Sequence, residues 1–181
     1  MKQPIMSLML LSACMTGAQA QTCIPMAGFV KLTPDPACQV SQHISGAAFL
    51  GAPGTCFNVA VTGLLKGSGH AGFTLETMMS PITGSVAQSP AVLNEGGLIA
   101  ATDEFNLLET RRIFTARSVI SFPGGRIFTS DVGVIGAGAG TEQLIVTGGD
   151  GVYQNASGTI YSFNNVLGQW GPFQGKLCFG S

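Results

Sequence analysis

Short runs of alternating apolar and polar residues, separated by glycine-rich turns, occupy most of the chain. The run 57–63 places its large apolar side chains on one face, and residues 72–79 alternate until Pro81 ends the run. A period of two predicts β-strands that bury one face. The remaining strand candidates are 98–102, 107–122, 126–135, 142–147, 153–163 and 175–179, of which 107–122 is either one curved strand or two.

The spacing of these strands predicts the fold class. Glycine turns separate them, and no segment sustains the apolar spacing of three and four that a crossover helix would need. Charged residues make up only 9% of the chain, and glycine contributes 26 residues. This balance is typical of exported β-rich proteins with many turns and not of helical bundles. We therefore expect an all-β fold, an antiparallel sandwich or barrel.

The N-terminus carries an export signal, residues 1–20. Lys2 precedes an apolar run over 5–13, and Ala18-Gln19-Ala20 forms a small-x-small cleavage site before Gln21. A second site, Leu11-Ser12-Ala13-Cys14, reads as a lipobox, which would make lipidated Cys14 the mature N-terminus of a bacterial membrane-anchored form. Both sites are well formed, so we expect either a periplasmic or secreted protein or an outer-membrane lipoprotein.

The mature chain divides into an N-terminal extension, 21–53, and a main domain, 54–181, long enough to form its own core. Without Lys2 the chain has seven basic and nine acidic residues, which follows from eight and nine in the full sequence. Neither nucleic acid nor an anionic membrane surface is an expected partner of such a chain. We expect a membrane association only if Cys14 is lipidated.

Four cysteines remain after the signal: Cys23, Cys38, Cys56 and Cys178. An even number in an oxidising compartment predicts two disulfides, with three pairings to choose from. A bridge between Cys56 and Cys178 is favoured, because Cys56 begins the first strand predicted for the main domain and Cys178 lies in its last. This bridge would join the first and last strands, as closure requires, and so favours a barrel. No ligand spacing for a metal is found around the cysteines and histidines.

The glycine-rich segment 146–158, VTGGDGVYQNASG, resembles the signature Gly-Gly-(Thr/Ser)-Gly-x-(Phe/Tyr)-x-x-Ala-x-Gly of allene oxide cyclases, dirigent proteins and related bacterial barrels. It departs from the signature at Asp150, where a hydroxyl residue is usual. The preceding segment 126–134, RIFTSDVGV, fits the strand that comes before the signature in those proteins. The resemblance covers 55–180 in pattern and is specific over 113–163.

The resemblance implies an eight-stranded antiparallel barrel with a mostly apolar cavity, assembled as a homodimer or homotrimer. Gly148, Gly149 and Gly151 would provide positive-φ turn geometry, and Gly158 would allow the following strand to bend. The active-site residues of the family do not transfer, because no residue-by-residue alignment extends beyond the glycine signature.

Candidate catalytic residues follow from strand parity. Glu76 would be a buried carboxylate with a raised pKa if it faced inward, although a solvated position is the more common outcome. Arg117 and Asp131, if both faced inward, would pair across neighbouring strands and polarise a ligand, although a structural or surface ion pair is more common. Tyr153 and Tyr161 are candidates for ligand binding in the cavity, although barrel-wall packing is more common.

Two functions fit these features. The first is an exported barrel that binds a small apolar molecule without transforming it or serves a structural role in the cell envelope. The second is a cyclase or isomerase in which the cavity folds a flexible hydrophobic substrate. The sequence favours the first, because few ionisable groups fall at interior positions. No cofactor is expected for either function.

Overall fold

Antiparallel strands dominate the structure, a computed structural model that describes residues 21–79, 86–89, 92–94, 97–98, 112–136 and 138–180. A four-residue helix, α1 (Val40–His43), and a 3₁₀ turn, Gly151–Tyr153, are the helical elements within these ranges. The strands are β1 (Thr22–Pro34), β2 (Ala48–Phe49), β3 (Cys56–Gly63), β4 (Gly67–Met79), β5 (Val86–Ser89), β6 (Val92–Asn94), β7 (Gly97–Leu98), β8 (Arg112–Phe122), β9 (Gly125–Gly136), β10 (Ala139–Gly149), β11 (Ser157–Asn165) and β12 (Trp170–Phe179).

Eight of the strands close into an antiparallel barrel. Around the ring the order is β1, β12, β11, β10, β9, β8, β4 and β3, and β3 pairs back onto β1. Closure satisfies the hydrogen-bonding groups at both edges of the sheet, so the ring has no exposed edge. The predicted all-β, eight-stranded barrel is therefore confirmed.

The strand predictions hold where the local pattern is strong. Residues 126–135 and 142–147 lie within β9 and β10, and 57–63 lies within β3. The run 153–163 is broken instead, because the 3₁₀ turn ends at Tyr153 before β11 starts. Of the run 107–122, the described part is the single strand β8, and of 98–102 only Leu98 lies within the described residues.

The barrel begins earlier in the chain than the sequence predicts. The extension predicted over 21–53 contains Thr22–Pro34, which is β1 and pairs with β12 and β3. Pro25 lies within this strand, opposite Lys176 of β12, and Pro34 is its last residue. The remainder of the predicted extension crosses the outer face of the barrel, where Val40 of α1 is fully buried.

The disulfides connect the cysteines differently from the predicted pairing. Cys23 is bonded to Cys178 and Cys38 to Cys56, so the predicted Cys56–Cys178 bridge is wrong. Cys23 and Cys178 are directly opposite each other in the β1–β12 ladder. A disulfide does join the first and last strands, but the first strand is β1 and not β3.

The interior packs as two apolar clusters. One occupies the end of the barrel near the β8–β9 hairpin, where Ile127 and Leu177 are fully buried and Tyr153 closes the barrel. The other, which contains Phe57, Phe73 and Phe114, fills the opposite half. Within the described ranges, no helix is long and apolar enough to cross a membrane.

The glycine signature forms the turn between β10 and β11. Gly148, Gly151 and Gly158 have φ values of 150°, 58° and 146°, a region that favours glycine. The prediction is wrong for Gly149, which lies outside this region. A side chain on Gly149 would instead collide with the carbonyl of Arg126 and with Tyr153, because the chains approach closely there.

Asp150, the departure from the resembled signature, ties this turn to β9. Its carboxylate accepts hydrogen bonds from the backbone N–H and from Nε of Arg126, both at 2.7 Å. The interactions with Arg126, the side-chain hydrogen bond above all, hold the pKa of Asp150 below its ordinary value, although burial opposes them. The aspartate therefore performs a structural role in the turn.

Candidate functional site

A cavity of about 90 Å³ occupies the barrel interior. One water needs about 10–15 Å³ of such space. The cavity therefore accommodates several waters or a small organic molecule. Its wall is mostly apolar and aromatic, and it includes Gly138, which lies between β9 and β10, and Ala139, the first residue of β10. Four polar side chains break the apolar wall: Ser118, Glu142, Ser162 and Asn165.

Asp131 lies inside the barrel, next to this polar part of the wall. It is 3% exposed and shares the inward face of β9 with Ile127 and Ile135. The Ser118 hydroxyl donates a hydrogen bond to Oδ2 at 2.6 Å, whereas Oδ1 has no hydrogen-bond partner among the residues that the structure describes. Asp131 is not among the residues that line the cavity, so Oδ1 lies buried behind the polar part of the wall, near the Thr129 hydroxyl.

Glu142 is the second inward carboxylate. In the β10–β9 ladder Asp131 faces Leu144, two residues from Glu142, so the two acids are diagonal neighbours on one face. The Ser162 hydroxyl donates to Oε1 at 3.0 Å, and Asn165 Nδ2 donates to that hydroxyl at 2.6 Å. The partial exposure of Glu142 is exposure to the cavity, which its side chain lines.

Burial changes the acidity of both groups. It raises the pKa of Asp131 to about 8, with a further contribution from the negative charge of Glu142, while the hydroxyls of Ser118 and Thr129 and the charge of Arg117 oppose the shift. Burial also raises the pKa of Glu142, against the hydrogen bond from Ser162. Because the two acids interact, they titrate as a pair. At neutral pH the pair retains a proton.

The arrangement supports two kinds of chemistry. A carboxylate pair beside an apolar cavity accepts hydrogen bonds from a bound molecule with little competition from water. A pair that holds one proton also donates and accepts protons near neutral pH. Within the described ranges, no group of three histidine, cysteine, aspartate or glutamate side chains is arranged to hold a metal ion.

Arg117 does not join Asp131 inside the barrel, so the predicted inward pair is wrong. Register places Asp131 opposite Ala116, and Arg117 opposite Ser130, on the outward face of β8. Arg117 instead lines an outer groove together with Phe128 and residues 44–48. The two residues belong to opposite faces because parity depends on the pairing of β8 with β9, which each strand alone does not reveal.

Tyr153, Tyr161 and Glu76 are the other predicted site residues. Tyr153 lies in the core and Tyr161 on the surface. Tyr153 is buried against Phe122 and Phe179 in edge-to-face contacts, outside the cavity wall, and burial raises its pKa. Tyr161 is 41% exposed on the outer face of β11. Neither tyrosine is therefore placed to bind a ligand in the cavity. Glu76 belongs to β4, and its side chain lies outside what the structure describes.

Sequence reasoning missed Glu142, Ser118 and Ser162. The signal for Glu142 was available, because it shares parity with Leu144 and Val146, the apolar residues that define the inward face of β10. A carboxylate on the apolar face of a strand is a candidate for a buried functional group. The serines gave no such signal, since small hydroxyl residues occur on either face.

A second polar cluster lies outside the barrel, beneath α1. Asp35 is 5% exposed, and its carboxylate accepts hydrogen bonds from the backbone N–H groups of Ala37, at 3.1 Å, and Gln39, at 2.7 Å. Burial opposes ionisation, but these bonds hold the pKa of Asp35 below its ordinary value. His70 Nδ1 lies 3.7 Å from Oδ2, and the ring of His43 stacks on His70. The cluster fastens the crossing segment to β4.

Comparison of the chain with protein-family models, with curated proteins and with solved structures gave no match.

Proposed function

We propose that this protein is an exported barrel that binds a small, mostly apolar molecule in its interior. The observation that carries the proposal is the cavity, whose wall is apolar except for one polar side that includes Glu142 and Ser118. Ligand sites of small barrels combine such an apolar wall with a few polar groups that orient the ligand. The resemblance to allene oxide cyclases and dirigent proteins favours the same location.

The compartment follows from the cysteines. Two disulfides, Cys23–Cys178 and Cys38–Cys56, indicate an oxidising environment outside the cytoplasm. We propose that residues 1–20 direct export to the periplasm or the medium, with an outer-membrane lipoprotein as the alternative if Cys14 is lipidated. We also propose a homodimer or homotrimer, on the resemblance alone.

A second candidate function is a cyclase or isomerase that acts on a flexible hydrophobic substrate. The observation that favours it is the pair of inward carboxylates, Asp131 and Glu142, on neighbouring strands, since burial raises the pKa of both groups and a protonated acid beside an ionised one is suited to proton transfer near neutral pH. In this function the cavity would hold the substrate in a reactive conformation, and the carboxylate pair would assist.

Native mass spectrometry of the protein purified from its own host tests the binding function. We expect a stoichiometric apolar adduct on the exported protein, and the same spectrum gives the N-terminal mass and the oligomeric state. Ala116→Leu, which fills the cavity wall opposite Asp131, should abolish the adduct. The matched control Ala27→Leu changes an exposed residue on the outer face of β1 and should retain it.

Two outcomes would contradict the proposal. One is an adduct that survives Ala116→Leu while the variant keeps its native circular dichroism, because the molecule would then bind elsewhere. The other is an empty protein whose thermal midpoint does not rise when small apolar compounds are added, since a ligand that binds only the folded state must stabilise it. That result would favour a structural role in the envelope.

A further inference from the structure

We propose that a second copy of this chain binds the outer face of strands β9, β10, β11, β12 and β1, and that the two copies form a two-fold symmetric dimer. We call this surface the five-strand face. The inference does not depend on the cavity ligand. It rests on the proposed homo-oligomer and gives that assembly a surface and a stoichiometry, and the exposure, charge and hydrogen-bonding capacity of the five-strand face carry it.

Most of the exposed apolar side chains of the described residues lie on the five-strand face. Of the eight large apolar side chains that are exposed, six point outward from these five neighbouring strands, and each is at least 41% exposed. The six are Phe29, Val132, Val134, Ile145, Tyr161 and Trp170. Single apolar residues on a surface are ordinary, whereas a contiguous group that includes aromatic residues is typical of an interaction surface.

The opposite half of the barrel surface is covered by the chain itself. Val40 of α1 packs there against Cys56 of β3 and Val119 of β8, and β2 pairs with β4. The five-strand face has no equivalent cover among the described residues. It is therefore the half of the barrel surface on which apolar area remains for a partner.

The five-strand face carries no negative charge. Its strands contain two acidic residues, Asp131 and Glu142, and both face inward. Lys31 and Lys176 lie toward opposite ends of the β1–β12 ladder, and Arg126, near the start of β9, is paired with Asp150. Two copies of one chain carry the same charges, so a neutral centre lets them meet without like charges in contact. An acidic partner would find cations only at the margins.

A row of neutral polar groups crosses the centre of the five-strand face. Val132 pairs with Gln143, Gln143 with Tyr161, and Tyr161 with Gln174, so these side chains form one row from β9 to β12. Gln143 Nε2 lies 3.5 Å from Tyr161 Oη, as a donor to it. A carboxamide both donates and accepts, so the row is complementary to itself across a two-fold axis. A hydrocarbon surface would leave these amides without partners, which is costly.

Closure of the ring determines how the copies meet. Because the barrel has no open edge, a second copy cannot join by adding a strand to the sheet. The copies must pack face to face, as the two sheets of a sandwich do. With Tyr161 at the centre of the row, the two Tyr161 side chains lie near the two-fold axis.

Analytical ultracentrifugation of the exported protein with its disulfides intact, from 1 to 100 µM, tests the inference. We expect the mass of a dimer. Tyr161→Glu places two like charges near the axis and should raise the Kd of the dimer about 100-fold or more. An equimolar mixture of Tyr161→Glu and Tyr161→Lys should associate to within about 10-fold of the native Kd, because opposite charges then meet across the axis.

Val152→Glu is the matched control. It introduces the same charge at an apolar side chain that is 57% exposed and lies beside Gly124, at the end of the barrel. The Kd of this variant should stay within about twofold of the native value. Circular dichroism checks that each variant is folded. If Tyr161→Glu does not fold, Gln174→Glu changes an exposed polar residue of the same row and should weaken the dimer in the same direction.

The outcomes separate this inference from the other proposals. A native protein that is monomeric at 100 µM would overturn both the five-strand face and the proposed homo-oligomer, and would leave the cavity proposal untouched. A trimer, or a dimer that Tyr161→Glu and Gln174→Glu leave intact, would overturn the face while the homo-oligomer stands. A monomer that binds vesicles of phosphatidylethanolamine and phosphatidylglycerol would also overturn the inference and assign the face to a lipid surface.

Discussion

Replacing Asp131 by asparagine should change the pH dependence of stability in a way that few surface substitutions can. Asparagine preserves the size of the side chain and an oxygen acceptor for the Ser118 hydroxyl, but it removes the titrating proton. The pKa of Asp131 is about 8 in the folded state and 3.8 as its ordinary value. The perturbation therefore isolates the contribution of a single buried acid.

The raised pKa of Asp131 fixes whether stability rises or falls with pH. Because folding raises this pKa, the stabilising contribution is fully present below pH 3.8 and is lost as the pH rises toward about 8. Between these values one proton contributes about 1.4 kcal/mol per pH unit. From pH 5 to pH 7 the free energy of unfolding of the native protein should therefore fall by about 3 kcal/mol relative to Asp131→Asn.

Urea unfolding followed by circular dichroism, with disulfides intact, measures this difference at pH 5, 6 and 7. Glu142 titrates in the same direction, so the comparison uses the difference between the two proteins and not the slope of either. Asp150→Asn is the control, because the lowered pKa of Asp150 places its effect below this pH range. Parallel stability curves for the native protein and Asp131→Asn would refute a raised pKa and the buried pair.

Three other changes should have definite effects. Replacing Cys23 and Cys178 by serine should lower the free energy of unfolding by about 5 kcal/mol on the loop-entropy model, because 155 residues separate them; peptide mapping that finds either thiol free would contradict this. Gly133→Ala should cost about 1–3 kcal/mol by overpacking, since its methyl carbon would lie 2.7 Å from Cε1 of Phe114; an unchanged thermal midpoint would disprove the close contact. Asp35→Ala should lower the free energy of unfolding by about 1–3 kcal/mol at pH 6. The loss should be smaller in strong acid, because protonation of the native carboxylate, whose pKa is lowered, removes the ionised form. An equal loss of stability at both pH values in urea unfolding would show that ionisation is irrelevant.

Local sequence pattern was sufficient for most of the barrel and insufficient for its first strand. The alternation in 57–63 and 126–135 is unbroken, and both became strands, because a two-residue period is a property of the strand itself. In β1 the same alternation is present, but the strand contains Pro25 and ends at Pro34, and proline is uncommon inside a sheet. Its role depends on pairing with β12, about 150 residues away in the chain.

The candidate site was partly predictable for a related reason. Asp131 was identified as a carboxylate that matters if it faces inward, and it does. Its hydrogen-bond partner, Ser118, was not identified. The choice between Arg117 and Ser118 depends on the register of β8 against β9. Glu142 reaches Asp131 only through the diagonal geometry of the β9–β10 ladder. Neighbours across strands are set by long-range pairing, which alternation within one strand does not specify.

The bond between Cys23 and Cys178 changes how the barrel can open. Terminal strands are ordinarily the first segments to fray and the first to exchange their amide hydrogens. Here β1 and β12 flank the closing seam of the ring, and a covalent link spans that seam. Peeling one end strand from the other cannot release either of them, so their amides should be among the slowest to exchange, and the barrel should open as one cooperative unit.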